Sequence, residues 1–308
     1  MIKSLMLSSA MLISCSAFAS AETLKVVASF SILGDIAKNI GGNSVEIVTL
    51  VGPDSDAHTY EPRPSDVAAV SSAKVVVING LGFEGFIDRL VKTSATQATV
   101  VAVSNGIDVI KVADGHDHAE GESAEAAGHD HDEKDPHAFQ SVPNVRIYAK
   151  NIAATFCASD SANCATYRAN ADTYDAKLQA LDQEIRGVVA AIPKAKRTII
   201  TSHDAFGYFA HEYGLTFIAP EGVSTDSEAS AADVAKLVDQ IRADEASALF
   251  VENISDPRLV DQIALETGIK VGGTLYSDAL SGKDGPAPTY IDLMRYNITT
   301  IKAAISGS

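Results

Sequence analysis

Twice along the chain, short runs rich in valine and isoleucine alternate with amphipathic segments. The first series opens with "TLKVVASF", "SILGDIAKNIGG" and "VEIVTLV", then continues through "PSDVAAVSSA", "KVVVING", "GFEGFIDRLVKT" and "ATVVAVS". The second runs from "RTIITSH" and "DAFGYFAHEYG" through "LTFIAP", "SAADVAKLVDQIRAD", "ASALFVEN" and "SDPRLVDQIALETG" to "IKVGGTLYSD". Strand-like runs of this kind, separated by helical patterns, are the signature of a parallel sheet with crossover helices. The order repeats more strongly than the letters, which points to two similar lobes.

Between the series, residues 162 to 192 contain no proline and no glycine before Gly187. Tyr167, Tyr174, Leu178, Leu181, Ile185, Val188 and Ile192 recur at intervals of three, four and seven. This spacing predicts one amphipathic helix of roughly 40 Å, with a surface helix broken in two as the alternative. The expected fold is therefore α/β: two similar lobes, each a mainly parallel sheet flanked by helices, joined by one long rigid helix. The expected boundaries are a leader at 1–21, a first lobe at 22–160, the linking helix at 161–193 and a second lobe at 194–308.

The leader reading rests on Lys3, the apolar run Leu5 to Ile13 and the small residues Ala19-Ser20-Ala21, the three-part pattern of a secretory signal peptide. "LISC" would also serve as a lipoprotein box with Cys15 acylated, so a soluble exported chain and a lipid-anchored one are both open. Beyond the leader only Cys157 and Cys164 remain. In an oxidising compartment a pair this close most simply forms a disulfide, worth roughly 2 to 3 kcal/mol by loop closure; two free buried thiols are the alternative. A formal net charge of −16 argues against nucleic-acid binding and suits the attraction of cations.

"DGHDHAEGESAEAAGHDHDEKDPHAF", residues 114–139, holds five histidines among acidic residues. Residues 114–135 lack periodicity and have hardly an apolar side chain, so they are expected to form a mobile loop. Its His116, His118, His129 and His131 can gather zinc loosely when neutral; a purely solvating acidic linker is the alternative.

In open parallel sheets ligands collect beyond the carboxyl ends of strands. Four metal-capable residues follow predicted strands there: His58 in "VGPDSDAHTYEPRP", His137 after the insertion, His203 after "RTIITS" and Asp278 after "IKVGGTLYS". Two per lobe would close a site in the cleft. Each has an ordinary alternative: His58 and His137 as solvated loop histidines, His203 or Asp278 as helix caps, and Asp284 or Asp292 in place of Asp278. His211, well inside the next helix, reads as surface. Three imidazoles and one carboxylate suit a borderline cation such as Zn2+, and nitrogen-rich ligation disfavours Ca2+ and Mg2+. Four protein ligands leave no open position to activate water. The sequence has no HExxH motif, and a hydrolase with Glu61 as base is the least favoured reading.

The motifs "VGPDSDAHTYEPRPSD", "DPHAF", "SHDAFGYFAHEYGL" and "YSDAL", with the acidic histidine-rich insertion, resemble the zinc-binding cluster A-I solute-binding proteins of ABC transporters, the ZnuA and AztC type. The resemblance covers nearly all of the mature chain. It implies that His58, His137, His203 and Asp278 bind the metal between two lobes, and that a periplasmic monomer delivers Zn2+ to a membrane permease. It also implies that the insertion captures zinc or receives it from a periplasmic zinc chaperone. Manganese-binding relatives typically carry glutamate where this chain has His203, so the match favours zinc. It departs from the family pattern at Phe139 and Gln140, where Trp-Leu is usual. A manganese-binding homologue, and an extracellular buffer or adhesin with no transport role, are the competing functions.

Overall fold

A computed structural model describes residues 23–112, 134–227, 229–243 and 246–307. The leader, Cys15 and the four insertion histidines lie outside these residues. The first half contains strands β1 (Leu24–Phe30), β2 (Val45–Val51), β3 (Val75–Ile78) and β4 (Thr99–Ala102), with helices α1 (Ser31–Gly41), α2 (Pro64–Ser72) and α3 (Ile87–Ser94). Helices α4 (Val142–Ser159) and α5 (Cys164–Ala190) lead to the second half. There β5 (Thr198–Ile200), β6 (Thr216–Ile218), β7 (Ala248–Glu252) and β8 (Val271–Leu275) alternate with α6 (Gly207–Tyr213), α7 (Ala231–Ala243) and α8 (Arg258–Thr267). Helix α9 (Tyr290–Ser306) closes the described chain.

Both sheets are wholly parallel and share one topology, β2-β1-β3-β4 and β6-β5-β7-β8. The strand that starts each half lies inside its sheet and is covered on both faces. Hence six of the seven residues of β1 are buried, and the sequence reads as an unbroken apolar run rather than an alternation. The expected two-lobed α/β architecture is the observed one.

The long helix begins at Cys164, after the 3-10 turn Ser161–Asn163, and spans 27 residues, about 40 Å at 1.5 Å per residue. Tyr167, Tyr174, Leu178, Leu181 and Ile185 face the core as the spacing predicts, but Val189 is buried where Val188 was expected. The stripe drifts by one residue because the helix turns every 3.6 residues. Cys157 and Cys164 are joined across the α4–α5 corner.

One apolar core runs from β1 and α1 through α4 and α5 to α9 and includes Phe206, Phe209 and Phe250 of the second half. A smaller core of Ile200, Val234, Leu237, Ile241, Leu249, Val260 and Ile263 lies under α7 and α8. Gly272 allows a close approach: a methyl group there would overlap Phe250 and Ala304, so α9 lies tightly on β8.

Asp35 of α1 accepts a hydrogen bond from the Tyr290 amide, the first of α9, at 2.9 Å. Burial pushes this carboxyl up to about 6, against the stabilising Tyr290 amide. An acid raised in the folded state favours folding below its unfolded value near 3.8 and loses that contribution as pH rises through about 6. Asp35→Asn is therefore expected to stabilise the metal-free protein at pH 8, by up to roughly 3 kcal/mol, and to change its stability little at about pH 3.5, below the unfolded value. Calorimetry at the two pH values checks this; an equal effect at both would refute it.

Candidate metal centre

The carboxyl ends of the two sheets face each other, and the loops that leave them carry the polar residues. His58 lies in the loop after β2, His137 follows β4 across the insertion, His203 follows β5 and Asp278 follows β8. The structure brings all four together: one ligand atom from each lies within 4.8 Å of the others. His137, His203 and Asp278 are fully buried, and the His58 side chain is 4% exposed. His58 Nε2 is 3.3 Å from His137 Nε2 and 3.3 Å from Asp278 Oδ2. His203 Nε2 is 3.2 Å from Asp278 Oδ2, and His137 Nε2 is 3.7 Å from Asp278 Oδ1.

The alternatives fall elsewhere. His203 does not open a helix, because α6 starts four residues later with Phe206 at its cap. Asp292 completes the α9 cap with Thr289, whose hydroxyl donates to its Oδ2 at 2.6 Å. Asp284 is exposed beside Lys283, and His211 and Glu61 are exposed. The insertion leaves and returns at one place, since Lys111 and Lys134 form an antiparallel bridge. The Asp135 amide donates to the Ile110 carbonyl at 3.1 Å. The position of His137 is thus set by the base of the excursion.

A buried network fixes that base. Asn79, the residue after β3, donates to the Pro136 carbonyl at 2.8 Å and accepts from the Tyr148 hydroxyl at 2.7 Å. Its own amide donates to Glu84 Oε1 at 2.7 Å, which also accepts from Ser29 Oγ. Burial raises the Glu84 carboxyl, and these donors hold it down in part.

Two further carboxylates orient the imidazoles, and sequence reasoning missed both. Asp135 Oδ1 lies 2.9 Å from His137 Nδ1 and accepts from the His137 amide at 2.8 Å. Glu252, the last residue of β7, accepts the amides of Ser202 and His203 at 2.8 and 2.9 Å, and its Oε2 lies 2.6 Å from His203 Nδ1. A carboxylate facing Nδ1 holds a proton there, so Nε2 is the nitrogen that offers its lone pair inward once its own proton has left. The available signals were the strand-end position of Glu252 and the recurrence of Asp-x-His at 56–58 and 135–137.

Electrostatics match the geometry. Burial alone would lower His137, but Asp278 and Asp135 outweigh it and push it up to about 9. Burial likewise opposes the charged form of His203, and Glu252 and Asp278 raise it well above the usual imidazole range. Burial works to raise Asp278, yet His137 and His203 hold it well below the usual carboxylate range. The cluster thus has a strong demand for positive charge. A cleft of about 320 Å³ opens onto His58, lined also by Phe83, Pro136, Val223, Ser224 and Asp226. Among the described residues no helix is long and apolar enough to cross a membrane.

The manganese-binding lipoprotein MntA of Halalkalibacterium halodurans is 33% identical over 92% of this chain and 89% of its own length. The iron ABC transporter substrate-binding lipoprotein MtsA of Streptococcus pyogenes is 32% identical over 96% and 94%. Among solved structures, the periplasmic zinc-binding protein TroA of Treponema pallidum has a TM-score of 0.83 at 28% identity, covering 92% of this chain and 99% of that one. A manganese-bound periplasmic metal-binding protein mutant from Candidatus Liberibacter asiaticus has a TM-score of 0.81 at 30% identity, covering 92% and 100%. The model of the family described as ZnuA, zinc-uptake complex component A, periplasmic, matches residues 26–304. With a match over that span, a shared two-sheet fold and relatives above 30% identity, the chain belongs to the ZnuA family.

Proposed function

We propose that this protein is an extracytoplasmic carrier that holds one Zn2+ ion through His58, His137, His203 and Asp278 and passes it to the membrane permease of an ABC importer. The observation that carries the reading is the donor set. Three imidazole nitrogens and one carboxylate oxygen converge in a buried pocket, with three of the donor pairs 3.2 to 3.3 Å apart. A regular tetrahedron with bonds of about 2.0 Å has edges of about 3.3 Å. Four protein ligands leave no position for an activated water, which fits carriage rather than catalysis.

Manganese is the competing cargo, because several relatives carry manganese or iron in their names. Hard cations of that class prefer oxygen-rich, six-coordinate sites, and this pocket offers one carboxylate among its four donors. The leader and the insertion, with an address outside the cytoplasm and loose capture of zinc at His116, His118, His129 and His131, belong to the same proposal.

Competition against a chromophoric chelator is expected to give one tight Zn2+ per chain and weak Mn2+ binding. Alanine at any of the four ligands should weaken zinc by more than about 100-fold, beyond what loss of an outer partner causes. His203→Glu should move the preference toward Mn2+, and deletion of 114–135 should leave the tight site intact. Tight zinc binding that vanished with the deletion would sink the ligand assignment, and a Mn2+ preference in the parent chain would overturn the cargo.

Protons compete with the cation for the same nitrogens. With His137 near 9 and His203 raised well above its usual range, both are protonated at pH 7 in the metal-free protein. Zinc binding at pH 7 should release about two protons, and the affinity should fall as pH falls. Calorimetric titration in buffers of different ionisation enthalpy measures the release; a count near zero would contradict the arrangement.

A further inference from the structure

The two histidines of the first half share a local device. In "DAH" and in "DPH" an aspartate two residues before the ligand turns back on it. Asp56 Oδ1 accepts the His58 amide at 2.8 Å, and Asp135 Oδ1 accepts the His137 amide at 2.8 Å. In each case the second carboxylate oxygen faces the other half of the molecule. Asp56 Oδ2 accepts from the Thr225 hydroxyl at 2.5 Å and from Thr59 Oγ1 at 3.0 Å. Asp135 Oδ2 lies against Gly207 at the start of α6, where an added methyl group would overlap it.

The loop bearing His58 is docked across the cleft at a second point. Asp54 sits at φ 50°, a left-handed conformation that costs a residue with a side chain about 1 kcal/mol or more. Its carboxylate accepts from Asn253 Nδ2 at 3.0 Å and from the Gly282 amide at 3.2 Å. Its own amide donates to the Leu280 carbonyl at 2.9 Å. The strained conformation is held by partners that all belong to the second half.

We infer that Asp56 and Asp135 are positioning residues that tie the aim of His58 and His137 to contact with Thr225 and Gly207 of the opposite half. This rests on the metal-site reading above and adds a coupling to it. The carboxylate that sets the ligand is the same group that senses the neighbouring half. Parting of the halves at the rim withdraws Thr225 and loosens His58, the ligand beside the open cleft; contact restores the aim. Retention of the cation, more than its capture, depends on the link.

The test is stopped-flow zinc release from the full chain into excess chelator, with association measured separately. Thr225→Val should speed release roughly tenfold, the effect of losing one hydrogen bond to a charged group, with association much less changed. Thr225→Ser keeps the hydroxyl and should release at the parent rate. In an Asp56→Ala background Thr225→Val should add nothing, because the shared bond is already gone. Gly207→Ala should speed release by at least about tenfold through displaced Asp135, in the range seen when groups orienting metal ligands are altered. Release from Thr225→Val and Gly207→Ala at the parent rate, with one tight zinc still bound, would overturn the coupling. Absence of tight binding in the parent chain, or its survival in His58→Ala, would instead overturn the metal-site reading.

Discussion

Everything at the centre depends on aiming three imidazole rings so that Nε2 of each points to one spot. An imidazole left to itself has two tautomers and a freely turning ring, so convergence requires something to hold the opposite edge. Asp135 and Glu252 do this for His137 and His203. Both carboxylates come from backbone that the sheets fix. Glu252 is the terminal residue of β7, and Asp135 follows the Lys111 and Lys134 bridge that closes the insertion. The parallel topology therefore does more than bring the three histidines and Asp278 near one another; it also supplies the groups that orient two of the rings.

The same carboxylates set the charge balance. Asp135, Glu252 and Asp278 lie fully or almost fully buried around the histidines, with Asp204 close by and raised by its burial and by Asp135. Ionised carboxylates in such a place are tolerable only with compensating positive charge. Two protons can supply it, and so can a divalent cation, which makes the pocket an exchanger between the two. The acidic surface of the chain adds long-range attraction for cations.

Much of this was legible in the sequence. Parallel sheets buried on both faces leave long apolar runs, so "TLKVVASF" and "ASALFVEN" announced strands, and the gap-free stripe from Tyr167 to Ile185 announced α5. The strand-end rule also singled out His58, His137, His203 and Asp278, because connections beyond strand ends are where polar side chains can gather. The rest was hidden for identifiable reasons. Glu252 sits inside an apolar strand pattern and looks like its polar terminus. Asp135 looks like one more acid of the insertion, and only the fold shows that it turns back on His137. The hydroxyl of Thr225 meets Asp56 across 169 positions of sequence, a distance that no local pattern spans. His203 was expected at a helix start, but the chain runs on through Ala205 and Phe206 before α6 begins at Gly207.

The continuous core has a mechanical consequence. Because α5 and α9 are packed into the same apolar mass as α1, α4 and β8, the two halves resemble a block with a slot cut into one face more than two shells on a hinge. Wide opening would expose that mass to water, which is costly in proportion to area. Traffic through the slot is then confined to its lips, the loops around His58 and Thr225. Any machine that empties it needs a grip on those lips, not leverage on the whole body.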